Sequence, residues 1–237
     1  MELLELLALA LAPIAFIFTY VYLKDRYERE PLKYLLITFV FGGLTAVPVI
    51  MVGQWLQEVT GTSATSSPAD LLIYSFIVVA MTEEGMKYLV LRWYNYPHRE
   101  FDEPYDGIMY GVAVSLGFAA IENILYVLNG GMGTGLIRMF TAVPAHASFG
   151  AMMGFFVGRA KFGSRRPMLD RLKGLLVAII FHGLYDYFLF LGNTSLTVIS
   201  FVALMVGVYL ARRAMRLHVE DSPHRFGPPP GDMTPQP

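Results

Sequence analysis

The feature that most constrains this chain is a series of seven apolar segments, each long enough to cross a hydrocarbon core about 30 Å thick. They lie near residues 3–23, 32–56, 70–92, 107–128, 136–158, 172–192 and 195–211. Only 16% of the 237 residues are charged, whereas about a quarter are charged in an average soluble domain. The sequence therefore predicts an all-α fold, a polytopic membrane helix bundle with about seven transmembrane helices.

The basic residues between these segments are distributed very unevenly. They are Lys24, Arg26, Arg29, Lys33, Arg92, Arg99, Arg159, Lys161, Arg165, Arg166, Arg171, Lys173, Arg212, Arg213 and Arg216. The alternate loops, at about 57–69, 129–135 and 192–195, contain neither lysine nor arginine. Under the positive-inside rule, this asymmetry predicts an N-terminus outside the membrane and a cytoplasmic C-terminus.

The ends of the chain differ in composition from its body. The N-terminus lacks the basic region of a signal peptide, so the first apolar segment is expected to remain as a span. Residues 1–217 are expected to form one transmembrane helical domain, with a catalytic core at about 70–192. The Pro- and Gly-rich segment 218–237 is expected to be a disordered cytoplasmic tail. Cysteine is absent, which excludes disulfides, thiolate metal sites and cysteine nucleophiles.

Ionisable side chains inside the predicted spans mark the functional region, because each costs several kcal/mol in hydrocarbon. Together with one neighbouring amide, they are Glu83, Glu84 and Lys87 in the third span, Glu122 and Asn123 in the fourth, His146 in the fifth, and His182 and Asp186 in the sixth. The first, second and seventh spans have almost nothing comparable away from their ends. The polar residues are thus concentrated in four consecutive helices.

Residue spacing places these groups on the inner faces of the helices. In the sixth span, His182 and Asp186 lie four residues apart on the same stripe as Gly174 and Ala178. The fourth and fifth spans show the same association of polar with small residues. Because small residues let transmembrane helices approach closely, we expect the polar groups to point into the bundle.

The residue types suit peptide hydrolysis, which needs an activated water, a base and a group that stabilises the oxyanion. Glu83 and Glu84 are adjacent carboxylates that cannot both ionise cheaply in a low dielectric, so one can serve as an acid or base. Asp186, one turn beyond His182, could orient the imidazole ring. Lys87 lies one turn from both glutamates and could hold one of them as the carboxylate.

In this order, the motifs resemble the PrsW family of bacterial membrane proteases, which is distantly similar to the CAAX-prenyl-protease and bacteriocin-processing superfamily. The matching pieces are Glu83-Glu84-x-x-Lys87, Asp106-Gly107-x-x-Tyr110-Gly111, Gly117-Phe118-x-x-x-Glu122-Asn123, Pro144-x-His146 and His182-Gly183-x-Tyr185-Asp186. The resemblance spans roughly residues 70–190. It implies an intramembrane protease, expected in the bacterial plasma membrane, whose membrane-anchored protein substrate could be an anti-sigma factor cleaved at site 1.

The resemblance also implies roles for individual residues. Glu83 and Glu84 match the catalytic carboxylate pair, and His182 matches an essential partner. Further site members are Glu122 and His146, with Lys87, Asn123 and Asp186 expected in support. No nucleic-acid partner is expected.

The participation of a metal stays open at this level. In one mechanism, His146, His182 and Glu122 hold Zn²⁺ with a position left for water, and Glu83 or Glu84 acts as the base. In the other, no cofactor is present, Glu84 and His182 activate water directly, and His146 stabilises the oxyanion. The zincin motif His-Glu-x-x-His is missing, which argues against that class of metalloprotease.

Two non-catalytic interpretations compete with the protease. A proton- or ion-coupled transporter also buries Glu, His and Asp, but it predicts internal repeats or broken helices in paired positions, and the sequence shows neither clearly. Glu83 and Glu84 could also be structural ion-pair partners of Lys87, although one lysine cannot satisfy two buried acids. Arg138, near the start of the fifth span, is interpreted as an interfacial residue whose charge reaches the membrane surface.

Overall fold

The computed structural model describes residues 3–226, apart from the side chains of Thr194 and Phe226, and all regular structure in this range is helical. The α-helices are α1 (Leu3–Lys24), α2 (Leu32–Leu44), α3 (Ala46–Thr60), α4 (Pro68–Ile73), α5 (Thr82–Val90), α6 (Pro104–Phe140), α7 (Ala142–Phe162), α8 (Pro167–Phe190) and α9 (Thr194–Glu220). Two π-helical segments (Tyr74–Met81 and Leu91–Asn95) flank α5, and a 3₁₀ turn (Pro223–Phe226) follows α9. The all-α prediction is confirmed.

Within residues 3–226, five helical stretches are long and apolar enough to cross a membrane. They are Leu3–Lys24, Leu32–Thr60, Pro104–Phe162, Pro167–Phe190 and Ser195–Glu220. The third of these contains α6 and α7 in succession, and the predicted span 70–92 corresponds to the short α and π pieces around α5. The structure is that of a membrane helix bundle, while the count of seven spans and the orientation of the termini stay predictions.

The outward surface of the bundle is strongly apolar. Large hydrophobic side chains are exposed along the long helices, including Phe16, Leu36, Trp55, Phe140 and Met205. A continuous exposed apolar surface of this kind marks contact with a membrane or another protein. Together with the helix lengths, it indicates that these side chains face lipid.

Helices α6 and α7 form the centre of the bundle, where they pack backbone against backbone. Gly107 of α6 faces Gly154 of α7, and Gly111 faces Gly150. A Cβ atom added at Gly107 would lie only 2.5 Å from the carbonyl oxygen of Gly154. The predicted close approach along small-residue faces is therefore present, and it fixes the relative positions of the side chains that these helices carry.

Part of the segment predicted as a tail has regular structure. Helix α9 continues to Glu220 and is followed by the 3₁₀ turn Pro223–Phe226, while His218 and Ser222 are buried. The division into a transmembrane domain 1–217 and a disordered tail 218–237 stays a prediction. Residues 227–237, which carry the rest of that prediction, lie outside the described residues.

Candidate active site

Four helices bring the predicted polar residues to one place inside the bundle. Helix α5 supplies Glu83, Glu84 and Lys87, α6 supplies Glu122 and Asn123, α7 supplies His146, and α8 supplies His182 and Asp186. Each of these residues except Asn123 contacts at least one other member of the group, and Asn123 is connected to the group through Arg138. The sequence spacing permits these residues to come together, and the structure shows that they do.

Lys87 is the centre of the first set of contacts. Its Nζ atom lies 3.2 Å from Oε2 of Glu83 and 2.8 Å from Oε1 of Glu84. The same nitrogen lies 3.2 Å from Nδ1 of His146 and 4.2 Å from the ring centre of Phe118. One fully buried ammonium group therefore serves two carboxylates, which leaves an excess of negative charge for another cation or a proton.

His182 connects the two glutamates with α8. Its Nδ1 atom lies 2.9 Å from Oε1 of Glu84, and its Nε2 atom lies 3.3 Å from Oδ2 of Asp186 and 3.9 Å from Oε2 of Glu83. The ring of Phe149 stacks on the imidazole at 5.1 Å between centroids. Three carboxylates and one aromatic ring together fix the orientation of this histidine.

A second chain of contacts supports His146. Its Nε2 atom lies 2.8 Å from Oε2 of Glu122, and Nη2 of Arg138 donates to the same oxygen at 2.8 Å. Nε of Arg138 donates to Oδ1 of Asn123 at 2.7 Å, and Nδ2 of Asn123 donates to the backbone oxygen of Ala10 in α1 at 2.8 Å. Arg138 is therefore part of the site, and its interpretation as an interfacial residue is wrong.

The position of Arg138 depends on a break in α6. Gly131 has φ 70° and ψ −164°, a left-handed conformation that favours glycine. In an uninterrupted helix, residues 122 and 138 would be about 24 Å apart, yet their side chains are in contact. The chain therefore turns back at Gly131 and returns Arg138 to the site, a relation that no local sequence spacing reveals.

The segment that carries the glutamates is irregular. Glu83 and Glu84 lie in the short helix α5, directly after the π-helical segment Tyr74–Met81. The Thr82 hydroxyl donates to the backbone oxygen of Ile77, five residues earlier, at 3.3 Å. Such π-helical turns occur frequently at functional sites, and the sequence contained no signal for them.

A cavity of about 590 Å³ lies beside the cluster. Its polar wall includes Glu83, Glu122, Arg138, His146, His182 and Asp186, and its apolar wall includes Val79, Ile137, Leu189, Phe190 and Phe201. The side chain of Glu84 is fully buried behind the residues that line this cavity, and it does not itself line the cavity. A volume of this size falls in the range of ligand pockets, about 300–1,000 Å³.

The residues around Lys87 fit a metal ion. Glu83, Glu84, His146 and His182 each offer one ligand atom, and these atoms all lie within 4.8 Å of one another. Carboxylate oxygens and imidazole nitrogens are the donors that zinc and related metals accept. Oε2 of Glu84 is buried with no hydrogen-bond partner in the described part of the chain, which leaves one donor free for a cation.

The sequence matches known proteins over most of its length. Residues 30–211 match the family described as PrsW family intramembrane metalloprotease. Protease PrsW of Geobacillus kaustophilus (strain HTA426) is 40% identical over 185 residues, which cover 78% of this chain and 80% of that protein. Protease PrsW of Bacillus subtilis (strain 168) is 36% identical over 185 residues, covering 78% and 82%.

The matches also include Protease PrsW of Oceanobacillus iheyensis, which is 33% identical over 215 residues covering 89% of this chain and 96% of that protein. No solved structure gives a significant match. The apolar helices, the buried acids and histidines beside a cavity, and the match over residues 30–211 agree with one another. This chain belongs to the PrsW family of intramembrane metalloproteases.

Proposed function

We propose that this protease hydrolyses a peptide bond in a membrane-anchored protein with Glu83 and Glu84 as its catalytic carboxylates and His182 as their partner. The observation that supports this assignment is the convergence of both glutamates, His182 and His146 within 4.8 Å beside a cavity of about 590 Å³. Ionisable groups inside a bundle of apolar helices are costly and by default mark a functional site. Four such groups in contact with one another, three of which line one cavity, favour a reaction centre over a structural ion pair.

The two glutamates are proposed to have different roles. Glu83 lines the cavity, whereas Glu84 is fully buried and contacts Lys87 and His182. Only Glu83 can reach a water molecule in the cavity directly. We assign Glu83 as the base that accepts a proton from the attacking water, and as the acid that returns it to the leaving amine when the carbon–nitrogen bond breaks. Glu84 then holds His182 and Lys87 in place.

The oxyanion of the tetrahedral intermediate requires a positively charged or hydrogen-bonding group that is already in position. Both imidazoles line the cavity, and each is held by a carboxylate on another helix: His146 by Glu122 and His182 by Glu84. Rings fixed in this way lose little freedom when negative charge develops on the substrate. Because both nitrogens of each ring already have a partner, we assign these two histidines to the stabilisation of the oxyanion through the metal that they would hold.

The metal of this metalloprotease is proposed to be Zn²⁺, which would be held by His146 and His182 together with Glu84, so that Glu83 stays available as the base. Zinc in such a site polarises a water or carbonyl oxygen. Glu122 contacts the far nitrogen of His146 and Arg138, so it is proposed to orient that histidine rather than to bind the metal itself. The contact between Lys87 and Nδ1 of His146 would be released where that nitrogen becomes a ligand.

The matching relatives come from bacteria, and we propose that this protein works in a bacterial plasma membrane. A membrane-anchored anti-sigma factor cleaved at site 1 is the proposed substrate, in line with the family resemblance. The apolar wall of the cavity, which includes Leu189 and Phe201, suits side chains from a substrate segment at or near the bilayer.

The test compares membrane proteomes of cells that produce the wild-type protein, Glu83→Gln, Glu84→Gln or the matched control Glu58→Gln. Glu58 is an exposed glutamate near the end of α3. A substrate should appear shortened with the wild type and with Glu58→Gln, and should stay full-length with either site variant. Identical fragments in all four samples would remove the support for the glutamate assignment.

A further inference from the structure

A second cluster of buried acids lies away from the active site, where the loop between α1 and α2 meets the start of α6. Asp25, Glu30, Glu103 and Asp106 are each at most 1% exposed. Asp106 precedes Glu122 by sixteen residues on α6, which is about 24 Å along the helix. It opens the motif Asp106-Gly107-x-x-Tyr110-Gly111, whose polar residues have no part in the proposed reaction.

In two of these carboxylates, one oxygen accepts hydrogen bonds from the protein itself. The hydroxyl of Tyr110 donates to Oε2 of Glu30 at 2.6 Å. The backbone N–H groups of Asp102 and Glu103 donate to Oδ2 of Asp106 at 2.9 and 2.7 Å. These hydrogen bonds fix the two carboxylates in position, and the second oxygen of each carboxylate takes no part in them.

Three of the remaining oxygens have no partner. Oδ2 of Asp25, Oε1 of Glu30 and Oδ1 of Asp106 are buried and accept no hydrogen bond from the described residues. One carboxylate oxygen from each of Asp25, Glu103 and Asp106 lies within 4.8 Å of the other two. An unsatisfied buried acceptor costs about 1–3 kcal/mol, and more when it is charged, so these three oxygens, two of which belong to residues of this group, point to a ligand that supplies positive charge.

The surrounding basic residues do not supply that charge. Within residues 3–226, no lysine or arginine forms an ion pair with any of the four carboxylates. Nε of Arg29 donates to the backbone oxygen of Asp25 at 3.5 Å, and Lys161 donates to the backbone oxygen of His98 at 3.1 Å.

We propose that Asp25, Glu103 and Asp106, together with Glu30, form a binding site for a hard divalent cation, Mg²⁺ in the cell. The donors are oxygens only, which suits Mg²⁺, Ca²⁺ or Mn²⁺ rather than zinc or copper. Mg²⁺ is characteristically held by a few carboxylates and keeps several of its waters. This site therefore differs in donor type from the histidine-containing active site.

The cation would join segments that are distant in sequence. Asp25 belongs to the loop after α1, and Glu103 caps the start of α6. Ser222, in the segment after α9, donates its hydroxyl to Oε2 of Glu103. Two further acids, the part-buried Glu28 and the exposed Asp102, lie close enough to act electrostatically on this region. They would attract the cation toward the buried oxygens.

The test uses the full-length protein in detergent, titrated with Mn²⁺ while the electron paramagnetic resonance signal of the free ion is recorded. The wild type, the active-site variant Glu84→Gln and the control Glu58→Gln should each bind one Mn²⁺ that Mg²⁺ displaces. Asp25→Asn should weaken this binding at least about tenfold, since even changes next to a metal ligand cost about 10–100-fold in affinity. Equal binding by Asp25→Asn, binding lost only in Glu84→Gln, or no Mn²⁺ that Mg²⁺ displaces would each overturn the proposal.

Thermal unfolding provides a second measurement. Mg²⁺ should raise the Tm of the wild type, because a ligand that binds the folded state stabilises it, and this increase should vanish in Asp25→Asn and in Glu30→Gln. If Asp25→Asn does not fold, Glu30→Gln provides the same test. If the carboxyls instead share protons, Asp25→Asn raises the Tm equally with and without Mg²⁺, and the cation site is refuted.

Discussion

Nδ1 of His182 lies 2.9 Å from Oε1 of Glu84, although 98 residues separate them in the chain. The contact joins α8 to the short helix α5, and it places the opposite ring nitrogen 3.3 Å from Oδ2 of Asp186. The imidazole is thus held between carboxylates of two helices. Glu84 and His182 belong to the first and last motifs of the site, so we expect a change in either residue to affect the other.

We expect Glu83→Gln to reduce substrate cleavage by at least about 10²-fold, the usual contribution of an acid/base group, and Glu84→Gln to reduce it by about 10–100-fold, the usual cost of removing a group that holds a functional histidine in place. Both variants should remain in the membrane at wild-type levels, because glutamine preserves the shape. Residues that act as a unit give non-additive losses, so the double variant should be no worse than the poorer single one. Cleavage of a reporter substrate checks this, and near-wild-type activity in both single variants would favour a structural ion pair with Lys87.

Asp186→Asn should lower the cleavage rate by about 10–100-fold, a typical cost of disturbing the group that orients a functional histidine. The amide keeps the size of the side chain but removes the charge that contacts Nε2 of His182. The matched control is Asp170→Asn, on the same helix, where the carboxylate pairs with Arg159 and Lys173. A wild-type rate for Asp186→Asn would show that Glu84 alone is sufficient to hold the ring.

We propose that Arg138 is a positioning residue that acts on His146 through Glu122, which contacts both residues. Arg138→Gln should lower kcat by about tenfold or more and alter the pH profile, because Glu122 loses its fixed partner. Arg138→Lys should restore little activity, since an ammonium group cannot reproduce the fork that reaches both Glu122 and Asn123. An unchanged pH profile in Arg138→Gln, with Arg165→Gln as exposed control, would mean that the arginine only supports the fold.

The helical class and the clustering of polar residues could be predicted because both follow from local patterns. Apolar runs of sufficient length indicate spans, and the four-residue spacing of His182 and Asp186 places them on one face. The predicted group Glu83, Glu84, His146 and His182 does meet in the structure. The small-residue faces around Gly111 and Gly150 explain why, since they hold α6 and α7 at backbone contact.

The features that could not be predicted depend on contacts between segments that are distant in the sequence, and residue spacing does not encode such contacts. Arg138 reaches Glu122 only because the chain reverses at Gly131. The π-helical segments beside α5 have no sequence signature, so a regular span was predicted there. Asp25 and Asp106 are far apart in the sequence, so their acidic cluster can be recognised only when the structure brings the two segments together.

Close packing between α6 and α7 gives a prediction about stability. Gly111→Ala should destabilise the protein by about 1–3 kcal/mol, the usual cost of overpacking, because the new methyl group would meet the backbone oxygen of Gly150. Gly53→Ala in α3 is the control, since a Cβ at Gly53 meets nothing within 4 Å, and it should be neutral or stabilising by about 0.5–1 kcal/mol. Thermal unfolding in detergent compares them, and equal Tm values would contradict the proposed tight contact.

The final prediction concerns orientation, which decides the side from which a substrate approaches. The cavity beside the active site is lined partly by Leu189, Phe190 and Thr197, next to the loop that lacks basic residues, so under the positive-inside rule it lies toward the outer side of the membrane. Because the chain contains no cysteine, single cysteines can be introduced without background at the exposed positions Thr65 and Arg165. In intact cells, an impermeant maleimide should label Thr65→Cys but not Arg165→Cys, and both should react once the membrane is permeabilised. Labelling of Arg165→Cys alone would invert the topology and place the cavity toward the cytoplasm, so that the substrate would have to be cleaved from the inner side.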